Sequence, residues 1–258
     1  MAMYDNANTV EKSFDINYIS EHLIQAQWAE FIELKKAITS LAARNKQPIS
    51  ILDIGIGDGR VVKQLCSVKE IWDCIASYEG IENALPCLSL TKKLIEDLHI
   101  HDKVSVRLLE AVNLYTLTAK YDMIITTWFT PGNFYPEDFP FDAWQGSGQQ
   151  LDLSRNEKFQ QVFADAFSLL HPGGEIILGS CYMDNDNNRK KQEAFYTKMG
   201  MTVITSAADS FTATKEGFWS QRFTREQIFN YLSFADPLKI VITALDTYDF
   251  AMQVRIAK

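Results

Sequence analysis

The stretch Ile49 to Arg60, ISILDIGIGDGR, constrains this chain more than any other. Ile49, Ile51, Leu52 and Ile54 form a short apolar run entered just after Pro48, the pattern of a buried central strand. Asp53 stands near its end, and Gly55, Gly57 and Gly59 follow at once. These glycines let the chain turn sharply and let a ligand approach the backbone where a Cβ would block it. Val61, Val62 and Leu65 then begin a helix whose first amides point toward the same crevice. A strand, a glycine turn and a helix in so short a stretch predict a nucleotide-type binding site.

The glycine spacing selects among nucleotides. The dinucleotide fingerprint GxGxxG needs a third glycine where Arg60 stands, which argues against a nicotinamide-dependent oxidoreductase. GxGxG behind an acid fits instead, and DIGIGDGR after a hydrophobic strand resembles motif I of the class I S-adenosylmethionine-dependent methyltransferases. The resemblance implies S-adenosylmethionine as cofactor, with Asp53, Gly55, Ile56 and Gly57 among the residues that hold it and the two glycines at its methionine end.

Later segments extend the resemblance in order. An apolar-rich strand from Cys74 to Ile81 stops at Glu82, 27 positions after Gly55, with Asn83 next and a helix from Pro86 to Leu98. In a doubly wound fold an acid at this point accepts hydrogen bonds from ribose hydroxyls. A third strand, KVSVRLLE, ends at Glu110; the resemblance puts Glu110 and Ala111 beside the adenine, with Val112 as a backbone donor to the ring. The fourth strand, YDMIITTW, buries Met123 to Ile125 and brings Thr126, Thr127 and Trp128 to the crevice, Thr127 against the cofactor. LLHPGGEIILGSCY resembles the family's turn into strand five, which places His171 at the end away from the crevice. A capped helix from Thr224 to Ala235 and an antiparallel pair, Leu238 to Leu245 and Phe250 to Ile256, complete the pattern. The fold expected is α/β: a doubly wound, Rossmann-like sheet of seven strands, the last antiparallel, with helices on both faces, in one domain over residues 1–258.

Composition bounds the rest. The 258 residues are 47% hydrophobic and 22% charged, enough for a globular domain with a large core. With 25 basic against 33 acidic side chains and a net charge of −8, a nucleic-acid partner is not expected. Cys66, Cys74, Cys87 and Cys181 form no CxxC pair and read as reduced thiols of a cytoplasmic protein. His22, His99, His101 and His171 offer no metal-binding spacing, and neither a membrane span nor a signal pattern is found.

Three segments lie outside the family pattern. Residues 14–46 carry apolar positions at helical spacing from Tyr18 to Ala43, read as packing, with Tyr4, Tyr18 or His22 as the alternative means of closing over a ligand. Residues 131–155 and 184–223, rich in aromatic side chains, are expected to form a cap that shapes the acceptor pocket. The chain leaves strand four as TTWFTPGNF, without the Asn/Asp-Pro-Pro-aromatic motif of enzymes methylating bases or glutamine. The acceptor expected is therefore a small aromatic or apolar molecule, methylated at oxygen, nitrogen or carbon. Methyl transfer needs orientation more than acid–base help, so no catalytic residue is assigned; Trp128, Asn133, Tyr182 and Asp184 are the candidates. A protein that binds the cofactor without turnover is the alternative, and the oligomeric state stays open.

Overall fold

The computed structural model describes residues 4, 10, 12, 13, 15, 17–144, 150–245 and 249–258. Its centre is a sheet of strands β1 (Ile49–Ile54), β2 (Ile75–Glu82), β3 (Val104–Leu108), β4 (Tyr121–Thr126), β5 (Leu170–Tyr182), β8 (Ile240–Ala244) and β9 (Ala251–Ala257). Their order is β3-β2-β1-β4-β5-β9-β8. β1 to β5 pair in parallel, and β9 runs antiparallel to both β5 and β8. A separate hairpin pairs β6 (Phe211–Ala213) with β7 (Trp219–Gln221). The doubly wound sheet with a reversed last strand is thus present.

Strand alternation explains why both faces are covered. On β1, Ile49 and Ile51 face one core while Leu52 and Ile54 face the other; Met123 and Ile125 oppose Ile124 on β4 in the same way. The first face packs on the helices α1 (Glu21–Asn45), α2 (Arg60–Cys66), α3 (Lys69–Trp72) and α4 (Leu85–Asp97). The second packs on α5 (Glu157–Leu169) and α7 (Arg225–Tyr231). A sixth helix in chain order, α6 (Asp186–Lys198), lies between β5 and the hairpin.

Several boundaries move from their expected places, each for a local reason. The apolar pattern of 18–43 forms one continuous helix that starts only at Glu21, after Ser20, and is stopped by Lys46 in the left-handed conformation, whose N–H bonds back to Ala42 and Ala43. β3 ends at Leu108, opposite Glu82, because its only neighbour β2 ends there. Leu170 already pairs with Tyr121 and Glu175 with Met123, so the Pro172–Gly174 turn is a bulge inside β5 rather than a lead-in to it. The capping box of Thr224 and Gln227 starts α7 as expected, but the helix stops at Tyr231. Between α6 and β6, Val203 makes a single isolated bridge, to Thr214. Residues 246–248, within the expected terminal turn, lie outside the described residues.

The two aromatic insertions pack on each other. Phe139 and Trp144 from the first meet Phe211 and Trp219 from the second, with Phe211 and Trp219 stacked at 4.0 Å between ring centroids. This satellite core is tied down by Arg222. Its guanidinium donates to Gln192 at 2.7 Å, Thr212 at 2.9 Å and Asp184 at 3.2 Å, and to the carbonyl of Asp209. Most of these aromatic rings therefore fill the insertions' own interior. Other insertion rings face open space: Phe134, Tyr135 and Trp219 line one cavity, and Phe195, Tyr196 and Phe218 line a second, smaller one.

Candidate functional site

A cavity of about 220 Å³ opens where β1, β2 and β4 end at their C-terminal edge. The glycine turn forms its floor: Gly55 and Gly57 have φ of 77° and 61°, a region that L side chains enter only at a cost. A Cβ on Gly55 would also come within 3.0 Å of Thr130.

Glu82 closes this turn against the next strand. Its carboxylate accepts N–H bonds from Gly57, Asn83 and Ala84, each at 2.9 Å, although 25 residues separate Gly57 from Glu82. Burial pushes its carboxyl pKa upward while the three amides pull it back. The side chain is thereby fixed at the cavity wall with acceptor capacity left on Oε2, which takes a single bond.

Of the residues expected to hold the cofactor, Gly55, Ile56, Gly57, Glu82, Asn83, Glu110, Ala111, Val112 and Thr127 all line this cavity. Asp53 does not. It is fully buried beneath the turn, where Tyr78 Oη donates to Oδ2 at 2.6 Å and Oδ1 has no partner among the described residues. Burial raises its carboxyl to about 7, so its geometry is that of a support under the floor.

The acceptor-side candidates divide in the same manner. Trp128 and Asn133 line the cavity and also a smaller chamber of about 40 Å³ behind it, which Tyr182 lines together with Phe129, Phe195, Tyr196 and Phe218. Tyr182 is held by stacking on Phe129, with centroids 3.8 Å apart. Asp184 lines neither space, because its side chain faces Arg222 in the satellite core. Tyr4 lines both spaces, whereas Tyr18 and His22 line neither.

Other wall residues gave no local signal in the sequence. Arg60 reaches the cavity with its guanidinium 4.4 Å from the Trp128 ring centroid and makes no salt bridge among the described residues. Burial lowers its pKa, with Asp58 and Glu30 opposing that trend. Trp219 contributes an indole whose buried Nε1 has no partner among the described residues, and Lys158 sits 5.0 Å over the ring of Tyr135 at the rim. These side chains come from positions far apart in the chain, which only the fold assembles.

No family model and no curated protein matches the sequence. Solved structures do share its fold. The CcbJ methyltransferase from Streptomyces caelestis is 12% identical, with 98% of this chain and 96% of that one covered and a TM-score of 0.58. A 1,6-didemethyltoxoflavin-N1-methyltransferase from Burkholderia thailandensis, solved with its namesake compound and S-adenosylhomocysteine, is 14% identical over 100% of this chain and 91% of that one, TM-score 0.53. An amino pentose methyltransferase from Micromonospora echinaspora, solved with S-adenosylmethionine, is 12% identical over 89% and 92%, TM-score 0.53. The chain has the fold of the class I S-adenosylmethionine-dependent methyltransferases.

Proposed function

We propose that this protein binds S-adenosylmethionine in the main cavity and transfers its methyl group to a small aromatic or apolar molecule that enters from the side of Trp128 and Asn133. The observation that carries the reading is Glu82, an acid pinned by three backbone amides at the end of β2 and facing the glycine turn across the cavity. Such a carboxylate suits a pair of ribose hydroxyls, and it is too firmly held by neutral donors to serve as a mobile proton carrier.

The other residues fall into place around it. Gly55 and Gly57 expose backbone to the methionine portion, and the guanidinium of Arg60, lacking a carboxylate partner, suits the methionine carboxylate. Ala111 and Val112 offer an apolar edge for the adenine. The cofactor supplies an electrophilic methyl group on a sulfonium, so the chain has to orient the acceptor and keep water out. Trp128 and Tyr4 supply aromatic faces where the two spaces join, and Asn133 supplies a polar contact there. The smaller chamber is lined by aromatic rings, Leu23, Asn133 and two serines, with no charged side chain. That lining favours an uncharged planar acceptor over a polyanion.

Titration calorimetry with S-adenosylhomocysteine, followed by a labelled-methyl transfer screen over hydroxylated and aminated aromatic compounds, tests the reading. Binding of S-adenosylhomocysteine, weakened in Glu82→Ala, is the expected first result. Tight binding of a nicotinamide dinucleotide in its place would overturn it. Cofactor binding with no turnover across the screen would favour the non-catalytic alternative.

A further inference from the structure

Trp128 and Phe129, directly after β4, both have left-handed backbone, with φ of 54° and 61°. Two consecutive non-glycine residues in that region are costly, and such strain persists only where surrounding contacts impose it. Here it sends the Trp128 ring toward Arg60 and the Phe129 ring onto Tyr182. Trp128 therefore lines both the main cavity and the smaller chamber and stands between them, with Phe129 behind it on the chamber side.

A side-chain contact on this turn comes from the N-terminal helix α1. Glu30 on α1, 5% exposed, accepts the Trp128 N–H at 3.0 Å through Oε1 and at 3.3 Å through Oε2. Oε2 also accepts the Ser180 hydroxyl at 2.6 Å, which ties the carboxylate to β5. Room for it exists only because residue 179 is glycine, since a Cβ there would lie 2.1 Å from Oε1. No other carboxylate is hydrogen-bonded to the Trp128 amide among the described residues.

We propose that Glu30 is a positioning residue, which holds the Trp128–Phe129 turn in its left-handed form and so sets the partition between cofactor and acceptor spaces. That consequence for function rests on the reading above; the positioning itself does not. Three segments distant in sequence, α1, the end of β4 and the middle of β5, meet at one carboxylate. Arg60 from α2, Asp53 from β1 and Cys181 from β5 are the ionisable groups whose charges couple to it.

The test uses the full chain labelled with 5-fluorotryptophan and read by fluorine NMR, the Trp128 signal among the five tryptophans being assigned with Trp128→Phe. In Glu30→Met the Trp128 signal is expected to move by more than its linewidth while the other four hold. Glu30→Gln, which can still accept from Trp128 and donate to Ser180, should restore it. Gly179→Ala, which pushes the carboxylate aside without removing it, should reproduce the Glu30→Met shift and stands in if that variant does not fold. An unmoved Trp128 signal in a folded Glu30→Met or Gly179→Ala, or equal movement of all the tryptophans, would overturn the assignment. Calorimetry with S-adenosylhomocysteine on the unmodified protein is the separate arm: absence of binding there defeats the functional reading, and leaves the NMR result to decide on Glu30.

Discussion

On the side of the cavity proposed for the cofactor, the surface is mostly backbone and short-range: a glycine turn, the acid that ends the next strand, and the two residues after Glu110. On the side proposed for the acceptor it is mostly side chain and long-range, with Tyr4, Trp128, Asn133 and Trp219 brought together from the N-terminal segment, the loop after β4 and the insertions. The first surface rests on a central parallel sheet buried on both faces, whereas the second draws on separate small clusters: Trp219 from the aromatic satellite core, Trp128 from the cluster of Phe129 and Tyr182, and Tyr4 from that of Ala84 and Cys87. A surface made of backbone tolerates change around it, while one made of side chains depends on every element that delivers them. This difference predicts that the two halves can be damaged separately.

The largest effect should come from Arg222→Met. It leaves Asp184, Gln192 and Thr212 without their shared donor in a buried setting, so stability in urea should fall by about 3 to 5 kcal/mol. Affinity for S-adenosylhomocysteine, measured where the variant is still folded, should change by less than about twofold, because each contact proposed for the cofactor lies outside the satellite core. A parallel loss of affinity would break the comparison. Glu82→Ala is its mirror image: affinity should drop by roughly 1 to 3 kcal/mol by calorimetry, as a charged acceptor is lost, while the aromatic core stays intact by near-ultraviolet circular dichroism.

The floor and the partition share a pH signature. Burial raises both Glu30 and Asp53 from ordinary carboxyl values to about 7. Between about pH 4.5 and 7 the folded protein thus keeps protons that the unfolded chain has released, and stability from these groups, full below that window, is lost as pH rises through it. Each contributes a slope of up to about 1.4 kcal/mol per pH unit, and Glu30→Gln should flatten its share in urea titrations across the window. An unchanged slope would show that Glu30 is charged in the folded protein throughout. The smallest effect should be that of Trp219→Phe, which removes a buried donor without a partner among the described residues, at the wall proposed for the acceptor. Affinity for S-adenosylhomocysteine should hold within about twofold, while KM for an acceptor found by the screen rises severalfold; equal KM values would take Trp219 out of the acceptor site.

The deletion of a loop such as 134–144 is not a usable test of the cap. Phe134 packs edge-on against Phe159 and Phe163 in the main core, and Phe139 and Trp144 bury Phe211. Removing them would expose apolar surface on both sides and confuse folding with function.

What the sequence determined by itself is the part written in local rules. Alternating or continuous apolar runs select strands and their faces, a glycine triplet fits only a turn with positive φ, and an acid at a strand end follows from the doubly wound arrangement, so Gly55, Gly57 and Glu82 were legible where they stand, while Ala111 followed only from the family resemblance. Asp53 shows the limit even there. The same motif that names it says nothing of Tyr78, which covers it and turns it into buried support.

Only the tertiary structure decided the acceptor half. Aromatic content in the insertions has no direction in sequence: packing buries Phe139, Trp144 and Phe211 in a core of their own, and turns Trp219 and Phe218 toward the two cavities. Glu30 left one trace, an acid on the otherwise apolar buried face of α1 with Ala26, Leu34 and Leu41, which marks a buried charge without naming its partner. The partner is a backbone amide 98 residues away. Hydrogen bonds of that range depend on how the sheet and helix pack, and no pattern of neighbours along the chain encodes them.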